Sequence, residues 1–365
     1  MTEKPIRIGI IGAGNISVNG HWPQIRDDER VMVSAVCRRN EELLNTAKAL
    51  TGAANAYTDW RALLEAGDVD AVIVGTPHDL HKDPAVEALR RGLDVLVEKP
   101  MALTGQDAME MAAAAKASSA QLMVGYSRRS SPDWRLAQKL VSEGRIGTVR
   151  QISMVAFADF SVVWNQESNT ATFGKLLDRA FYDDIVKKGN WYSDVARAGG
   201  GFFVGMATHY IDTMLWFGQA APTSVACFRG LNSASPDGTM SAQAILSNDV
   251  LLTITFTDGV RAKPANGFGA AASLTVIGDD GVLLVDEGIH PELSGIRIVV
   301  DGNEEQVTGG EEATGTTRNF IELIAGNGQN PAPASACCWT VALTEAAYLS
   351  AEQKRIIDIP QAPGQ

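Results

Sequence analysis

The chain has 365 residues, more than a single domain usually holds, so two domains are expected, each with a core of its own. A net charge of −12 with scattered lysine and arginine leaves no basic stripe, so neither nucleic acid nor an anionic membrane is expected as a partner. Cys37, Cys227, Cys337 and Cys338 have no zinc-like spacing and read as reduced core thiols. With no signal-like or membrane-length apolar run, they point to a cytoplasmic protein without a metal site.

In the first third, strand-like and helix-like segments alternate. RIGIIGAG, VMVSAVC, AVIVGTP and DVLVEKP read as buried strands, and EELLNTAKAL, DWRALLEAG and DPAVEALRRG, lying between them, carry helical spacing. That rhythm predicts βαβ units and a doubly wound parallel sheet. The first strand runs into Gly12-Ala13-Gly14-Asn15-Ile16-Ser17, a G-x-G-x-x-G fingerprint with serine in the last place. The first glycine allows the tight turn, and the second lets the backbone approach a pyrophosphate at the next helix, so a dinucleotide is expected here.

The second strand ends Val36-Cys37-Arg38-Arg39-Asn40. An NAD enzyme places an acidic residue there, about 20 residues beyond the glycines, on the ribose hydroxyls. Two guanidiniums suit a 2′-phosphate instead, so NADP is expected and NAD less so. Later strand ends carry Thr76-Pro77-His78-Asp79-Leu80-His81 and Glu98-Lys99-Pro100. Lys99 ends a parallel strand, where ligands meet an open α/β sheet. Tyr126 and Arg129, in VGYSRRSSP, are equally suited to touching nicotinamide or substrate and to packing a domain boundary.

The second half is β-rich: VRQISMVAFADF, TSVACFRGL, AQAILSN, DVLLTITFT, ASLTVIG and GVLLVDE are separated by Gly, Asn or Asp turns. FIELIAGNG and WTVALTEAAYLSAEQKR read as closing helices. The apolar spacing of Phe173, Leu176, Leu177, Ala180, Phe181, Ile185 and Val186 predicts an amphipathic helix over 173–188, with Trp164, Trp191 and Tyr192 offering aromatic faces at its edges. Asp183 and Asp184 read as a solvated face. In GGGFFVGMATHYID, positions 205, 209 and 212 share one face if the stretch is α-helical.

GAGNIS, the EKP motif and GGGFFVGMATHYID, with VGYSRRSSP, GRIGTVRQI and EAAYLSAEQKRIIDIP, make the chain resemble the Gfo/Idh/MocA oxidoreductase family almost end to end. The resemblance implies an α/β protein. Its NAD(P)-binding Rossmann domain covers residues 1–127, and a substrate-binding and oligomerisation domain over 128–365 is built on a large, mostly antiparallel open sheet, in a homodimer or homotetramer. It also implies that Lys99 contacts substrate and nicotinamide ribose, that His209 lies over the substrate and exchanges its proton, and that His81 stands close to the cofactor. Thr76, Pro77 and Glu98 fall in the cofactor-binding segments, Trp191 near the substrate, and a cis bond before Pro100 would set the direction of the lysine.

Hydride transfer needs a carbinol carbon about 3–3.5 Å from nicotinamide C4 and a group to take the hydroxyl proton. Lys99 and His209 are the groups expected to manage it. Inositol dehydrogenase-type members carry an aspartate one turn before this histidine; here that place is Gly205. Either the carboxylate comes from elsewhere or is dispensable, or the site has moved away from simple polyol oxidation, with room for a bulkier substrate. The expected activity is NADP-dependent oxidation or reduction of a sugar, cyclic polyol or related hydroxylated ring, dihydrodiols included. A cofactor-assisted glycosidase and a nucleotide-sensing regulator without turnover are the competing readings.

Overall fold

The computed structural model describes residues 4–159, 191–201, 203–230, 236–260, 270–289, 295–309 and 314–361. The expected helix over 173–188, with Trp164, Asp183 and Asp184, and His290 lie outside the described residues. The chain divides into two compact units, and the first change between them falls at Tyr126/Ser127. Residues 191–199 and 314–338 return to the first unit, so neither unit is one continuous stretch. The expected division at 127/128 marks the first crossing alone.

In the first unit, strands β1 (Ile6–Ile11), β2 (Val31–Cys37), β3 (Asn55–Tyr57), β4 (Ala71–Val74), β5 (Asp94–Val97) and β6 (Leu122–Val124) form a sheet in the order β3-β2-β1-β4-β5-β6. The pairs are all parallel. Apolar side chains on both faces make these strands, and Ile8, Ile10, Val72, Ile73, Val95 and Leu96 are 0% exposed. Three of the helices between them start at side-chain caps: Asn40 accepts from Leu43 N–H, Asp59 from Arg61 N–H and Thr104 from Asp107 N–H. This strand order reverses direction between β1 and β4, the switch point at which such sheets bind dinucleotides.

In the second unit, β7 (Val149–Ala158), β8 (Pro222–Gly230), β9 (Thr239–Leu246), β10 (Leu251–Asp258), β11 (Ala270–Gly278), β12 (Gly281–Glu287), β13 (Gly295–Val300), β14 (Asn303–Val307) and β15 (Ile357–Asp358) form a nine-stranded sheet. The order is β14-β13-β12-β11-β7-β10-β9-β8-β15; β7 and β10 run parallel and the other pairs are antiparallel. Alternation decides which face is covered. Ile152, Met154, Ala156, Leu252, Ile254, Phe256, Leu274 and Val276 are buried on one side. Helices Pro132–Ser142 and Thr208–Gly218 are joined by an edge-on contact of Trp134 with Phe217, and Tyr210 lies against Phe256.

All four cysteines are buried thiols, and burial pushes those of Cys37 and Cys227 up to about 12. No helix among the described residues is long and apolar enough to cross a membrane.

Candidate active site

The glycine turn leaves β1 at Gly12, whose φ is +84°. A Cβ there would lie 2.5 Å from Thr76 N and 2.6 Å from Gly75 C, so both the conformation and the approach of the next loop require glycine. Ser17, in the fingerprint's last place, is buried and donates to the Gly12 carbonyl at 2.8 Å. A serine is thus accommodated because its hydroxyl ties down the turn. Beyond Gly14 and Asn15, a helix with one wide π-type turn spans Ile16–His21 and continues as Trp22–Ile25. Asn19 donates to the Asn15 side chain at 2.7 Å.

Arg38, at the end of β2, is half-buried and donates from Nη1 to the Ala13 carbonyl at 3.0 Å. Its Nε is buried and has no partner among the described residues, and burial lowers the guanidinium's pKa. An unsatisfied donor beside a phosphate-type turn fits an anionic group of a dinucleotide. Arg39 is exposed.

At the end of β4, Thr76 Oγ1 donates to the Leu80 carbonyl, and Pro77 precedes a single turn, His78–Leu80. Neither histidine of this segment is free at the surface. His81 is 0% exposed, with Nδ1 and Nε2 each 2.8 Å from a carbonyl oxygen, of Pro100 and Thr76 respectively. His78 donates from Nδ1 to the Ala198 carbonyl at 2.8 Å, and its ring meets Trp191 edge-on at 4.8 Å and Tyr192 at 5.4 Å. Burial, with the neighbouring His81 and the charge of Lys99, holds the His78 imidazole well below its usual pKa, so it is neutral at pH 7. Arg197 pairs with Asp79 at 3.2 Å and ties the same returning segment to this loop.

After β5 the Lys99–Pro100 peptide is cis, as the resemblance implied. Glu98 is largely buried: Oε1 lies 3.1 Å from His21 Nε2, and Oε2 accepts the Lys99 N–H at 3.1 Å. Burial opposes the charge on this carboxylate, but His21 and Lys99 outweigh it and hold its pKa below the usual value. Lys99 itself is half-buried. Tyr126 follows β6 and is 1% exposed, which makes it a packing side chain as it stands.

In the second unit His209 is half-buried near the start of the helix Thr208–Gly218. The preceding turn, Phe203–Ala207, is π-type and contains the buried Gly205. The regular one-turn relation expected between positions 205 and 209 is therefore altered, because a π turn takes about one more residue than an α turn. Three contacts fix this helix entry. Asp237 accepts from Phe203 N–H at 2.7 Å and from the Tyr348 hydroxyl at 2.9 Å, and Gly205 N–H donates to Gly201. Gly200, with φ +151°, has the Tyr348 hydroxyl where a Cβ would stand. One turn beyond His209, Asp212 is 0% exposed and receives both arms of Arg129, at 2.8 and 2.9 Å, with Thr340 Oγ1 at 3.3 Å. Arg129 thus anchors the histidine helix and does not present a free charge to a ligand.

Sequence reasoning left His21 and His78 unassigned. His21 Nδ1 meets Thr317 Oγ1, 296 residues away, and His78 meets Ala198, 120 away, distances at which no motif signals a contact.

The profile of the oxidoreductase family with an NAD-binding Rossmann fold matches residues 6–126, and that of the Gfo/Idh/MocA C-terminal domain matches 134–284. A 1-carboxy-3-chloro-3,4-dihydroxycyclohexa-1,5-diene dehydrogenase of Comamonas testosteroni is 29% identical over 69% of this chain, but the match spans only 58% of that protein's length. Levoglucosan dehydrogenase of Pseudarthrobacter phenanthrenivorans is 24% identical, covering 89% of each chain. Among solved structures, a levoglucosan dehydrogenase complex with NADH and L-sorbose superposes with a TM-score of 0.77 at 19% identity, over 98% of this chain and 100% of that one. With both profiles matched and the glycine turn, the EKP strand end and the histidine helix in place, the chain belongs to the Gfo/Idh/MocA oxidoreductase family.

Proposed function

We propose that the protein is an NADP-dependent oxidoreductase that moves a hydride between nicotinamide and a secondary alcohol or ketone of a sugar, cyclic polyol or related hydroxylated ring. Lys99 and His209 handle the proton. The observation that carries this reading is the set of groups at the C-terminal ends of β1, β2 and β5: the turn at Gly12, the half-buried Arg38 and the Glu98–Lys99 pair. A bound dinucleotide would supply or accept the hydride. Gly12, Gly14, Asn15 and Ile16 would hold its pyrophosphate, Arg38 and Arg39 the 2′-phosphate, and the segments with Thr76, Pro77, His81 and Glu98 would hold the remainder. In the oxidation direction Lys99 and His209 are the groups that would manage the hydroxyl proton, and in reduction they would return it. Trp191 and Tyr126 are the further proposed substrate contacts, Tyr126 from a position 1% exposed.

A hydroxylated ring with one apolar face suits Trp191 and Tyr192, which are part-exposed and held edge-on against the buried, neutral imidazole of His78, because large rings offer stacking faces with few charges. Gly205 supports a bulky ring, since no side chain occupies its position. The name of the Comamonas relative, a dehydrogenase of a dihydroxylated cyclohexadiene, lends weight to the same class.

Titration with NADPH and with NADH, followed by nicotinamide fluorescence, tests the cofactor. Arg38→Asp is expected to weaken NADPH binding about 10- to 100-fold, the loss of a charge-assisted bond plus a new repulsion, and to change NADH binding little. Tighter binding of NADH than NADPH by the wild type would overturn the NADP assignment.

The face of the nine-stranded sheet that carries Val155 and Phe228 supports self-association. Ser273, Val155, Thr255, Ser241 and Phe228 pair in one row across five strands, with Phe228 80% and Val155 52% exposed. Apolar side chains this open, on a face with no covering helix among the described residues, suit a second copy of the chain as a homodimer or homotetramer. Light scattering after size exclusion is expected to give a dimer or tetramer for the wild type and a smaller species for Phe228→Asp. A monomeric wild type would reject the proposal.

A further inference from the structure

Within the first unit, His21 reaches Glu98 from the helix that leaves the glycine turn. Its ring is 2% exposed, with Nδ1 2.8 Å from Thr317 Oγ1 and Nε2 3.1 Å from Glu98 Oε1. A carboxylate only accepts, so Nε2 is the side of the ring that donates toward Glu98, while the Thr317 hydroxyl, able to donate or accept, meets Nδ1. Thr317 is 0% exposed, and its own N–H donates to the Gln24 side chain at 2.9 Å. The returning segment therefore holds both the ring of His21 and the helix that bears it.

Glu98 is confined on its other side. A Cβ on Gly125 would lie 2.9 Å from Oε1 and 3.2 Å from Cδ, so the carboxylate occupies the space that this glycine leaves open. Its second oxygen accepts the backbone N–H of Lys99. A line of contacts runs from the dinucleotide turn through an imidazole to a carboxylate and then to the lysine backbone. The imidazole is buried, the carboxylate largely so and the lysine half-buried, and a Cβ at Gly125 would crowd the carboxylate.

We propose that His21 is a positioning residue: it holds Glu98 so that Lys99 is presented in one orientation and one electrostatic setting, and it couples the dinucleotide turn to that lysine. The inference rests on Lys99 as the proton-handling group, and its test is chosen to be read without turnover.

Competitive labelling with trace acetic anhydride at pH 8, quantified by peptide mass spectrometry, reports the reactivity of Lys99 relative to the exposed Lys116. Glu98→Gln removes the negative charge beside Lys99 and is expected to raise its reactivity about threefold or more, the equivalent of half a pKa unit or more. His21→Leu is expected to shift Lys99 reactivity by about threefold or more. His21→Gln offers an amide N–H to Glu98 and a carbonyl to Thr317, and is expected to stay within about twofold of the wild type. Adding His21→Leu to Glu98→Gln should bring no further shift, because the effect runs through Glu98. Gly125→Ala, which pushes on the same carboxylate without touching the histidine, is expected to resemble His21→Leu.

Thermal midpoints are measured in parallel. If His21→Gln behaves like His21→Leu, or if the effects of His21→Leu and Glu98→Gln multiply, the positioning role is overturned. The same holds if Lys99 reactivity is unchanged in His21→Leu. If instead Lys99→Ala keeps its NADPH-linked activity, the reading of Lys99 as proton carrier fails while the labelling result stands on its own.

Discussion

Lys99→Ala is expected to lower NADP-linked turnover about 10²- to 10⁴-fold, the usual contribution of a positioned acid or base. The lysine belongs to the end of β5, and its backbone is tied to Glu98. Because the proton is in transfer at the transition state, the loss should fall on kcat, with NADPH affinity changing less than about tenfold. Lys99→Arg separates two roles of the side chain. Arginine keeps the positive charge but cannot give up its proton, so it is expected to remain as impaired as alanine. Substantial recovery by Lys99→Arg would show that charge alone was needed and leave His209 as the proton carrier. The assay is initial-rate absorbance of NADPH with levoglucosan, myo-inositol and cis-dihydrodiols offered in turn.

Asp212→Ala is expected to destabilise the second unit by about 3–5 kcal/mol, the usual cost of removing one partner of a buried ion pair. Asp212 is 0% and Arg129 4% exposed, so alanine would leave a guanidinium in the interior with its main acceptor removed. The pair itself need not contribute much, because desolvating two charges offsets most of their attraction. A paired replacement, Arg129→Met with Asp212→Leu, is therefore expected to recover most of the loss. Denaturant midpoints of the two variants check this; an Asp212→Ala protein as stable as the wild type would refute it. Asp212 also stands one turn from His209, so residual activity of the folded single variant is expected to drop as the histidine helix loses its anchor.

Much of the first unit was legible as sequence. VMVSAVC became β2 with those same ends, and the other buried runs of the first third became β1, β4 and β5, because a parallel sheet covered on both faces demands unbroken apolar segments. The turn at Gly12 was legible for a similar reason: its demand on φ is local, and so is its signature. The short strand Asn55–Tyr57 was not, since three residues carry too little pattern to read. The stretch before His209 reads as continuous helix by spacing, yet contains a π turn, because the Asp237 and Tyr348 contacts that set its entry come from distant parts of the chain.

What the sequence by itself determined was the class of fold, the dinucleotide turn, the strand end that carries Lys99 and the place of His209. Each depends on residues close together in the chain and on periodicities that local geometry imposes. Only the tertiary structure decided the partners of those groups: His21 on Glu98, Thr317 on His21, Trp191 on His78, and Arg129 spent on Asp212. It also decided that residues 191–199 and 314–338 belong with the first unit. A hydrogen bond across nearly three hundred residues leaves no spacing to read, because its geometry is set by packing of whole elements rather than by the chain on either side.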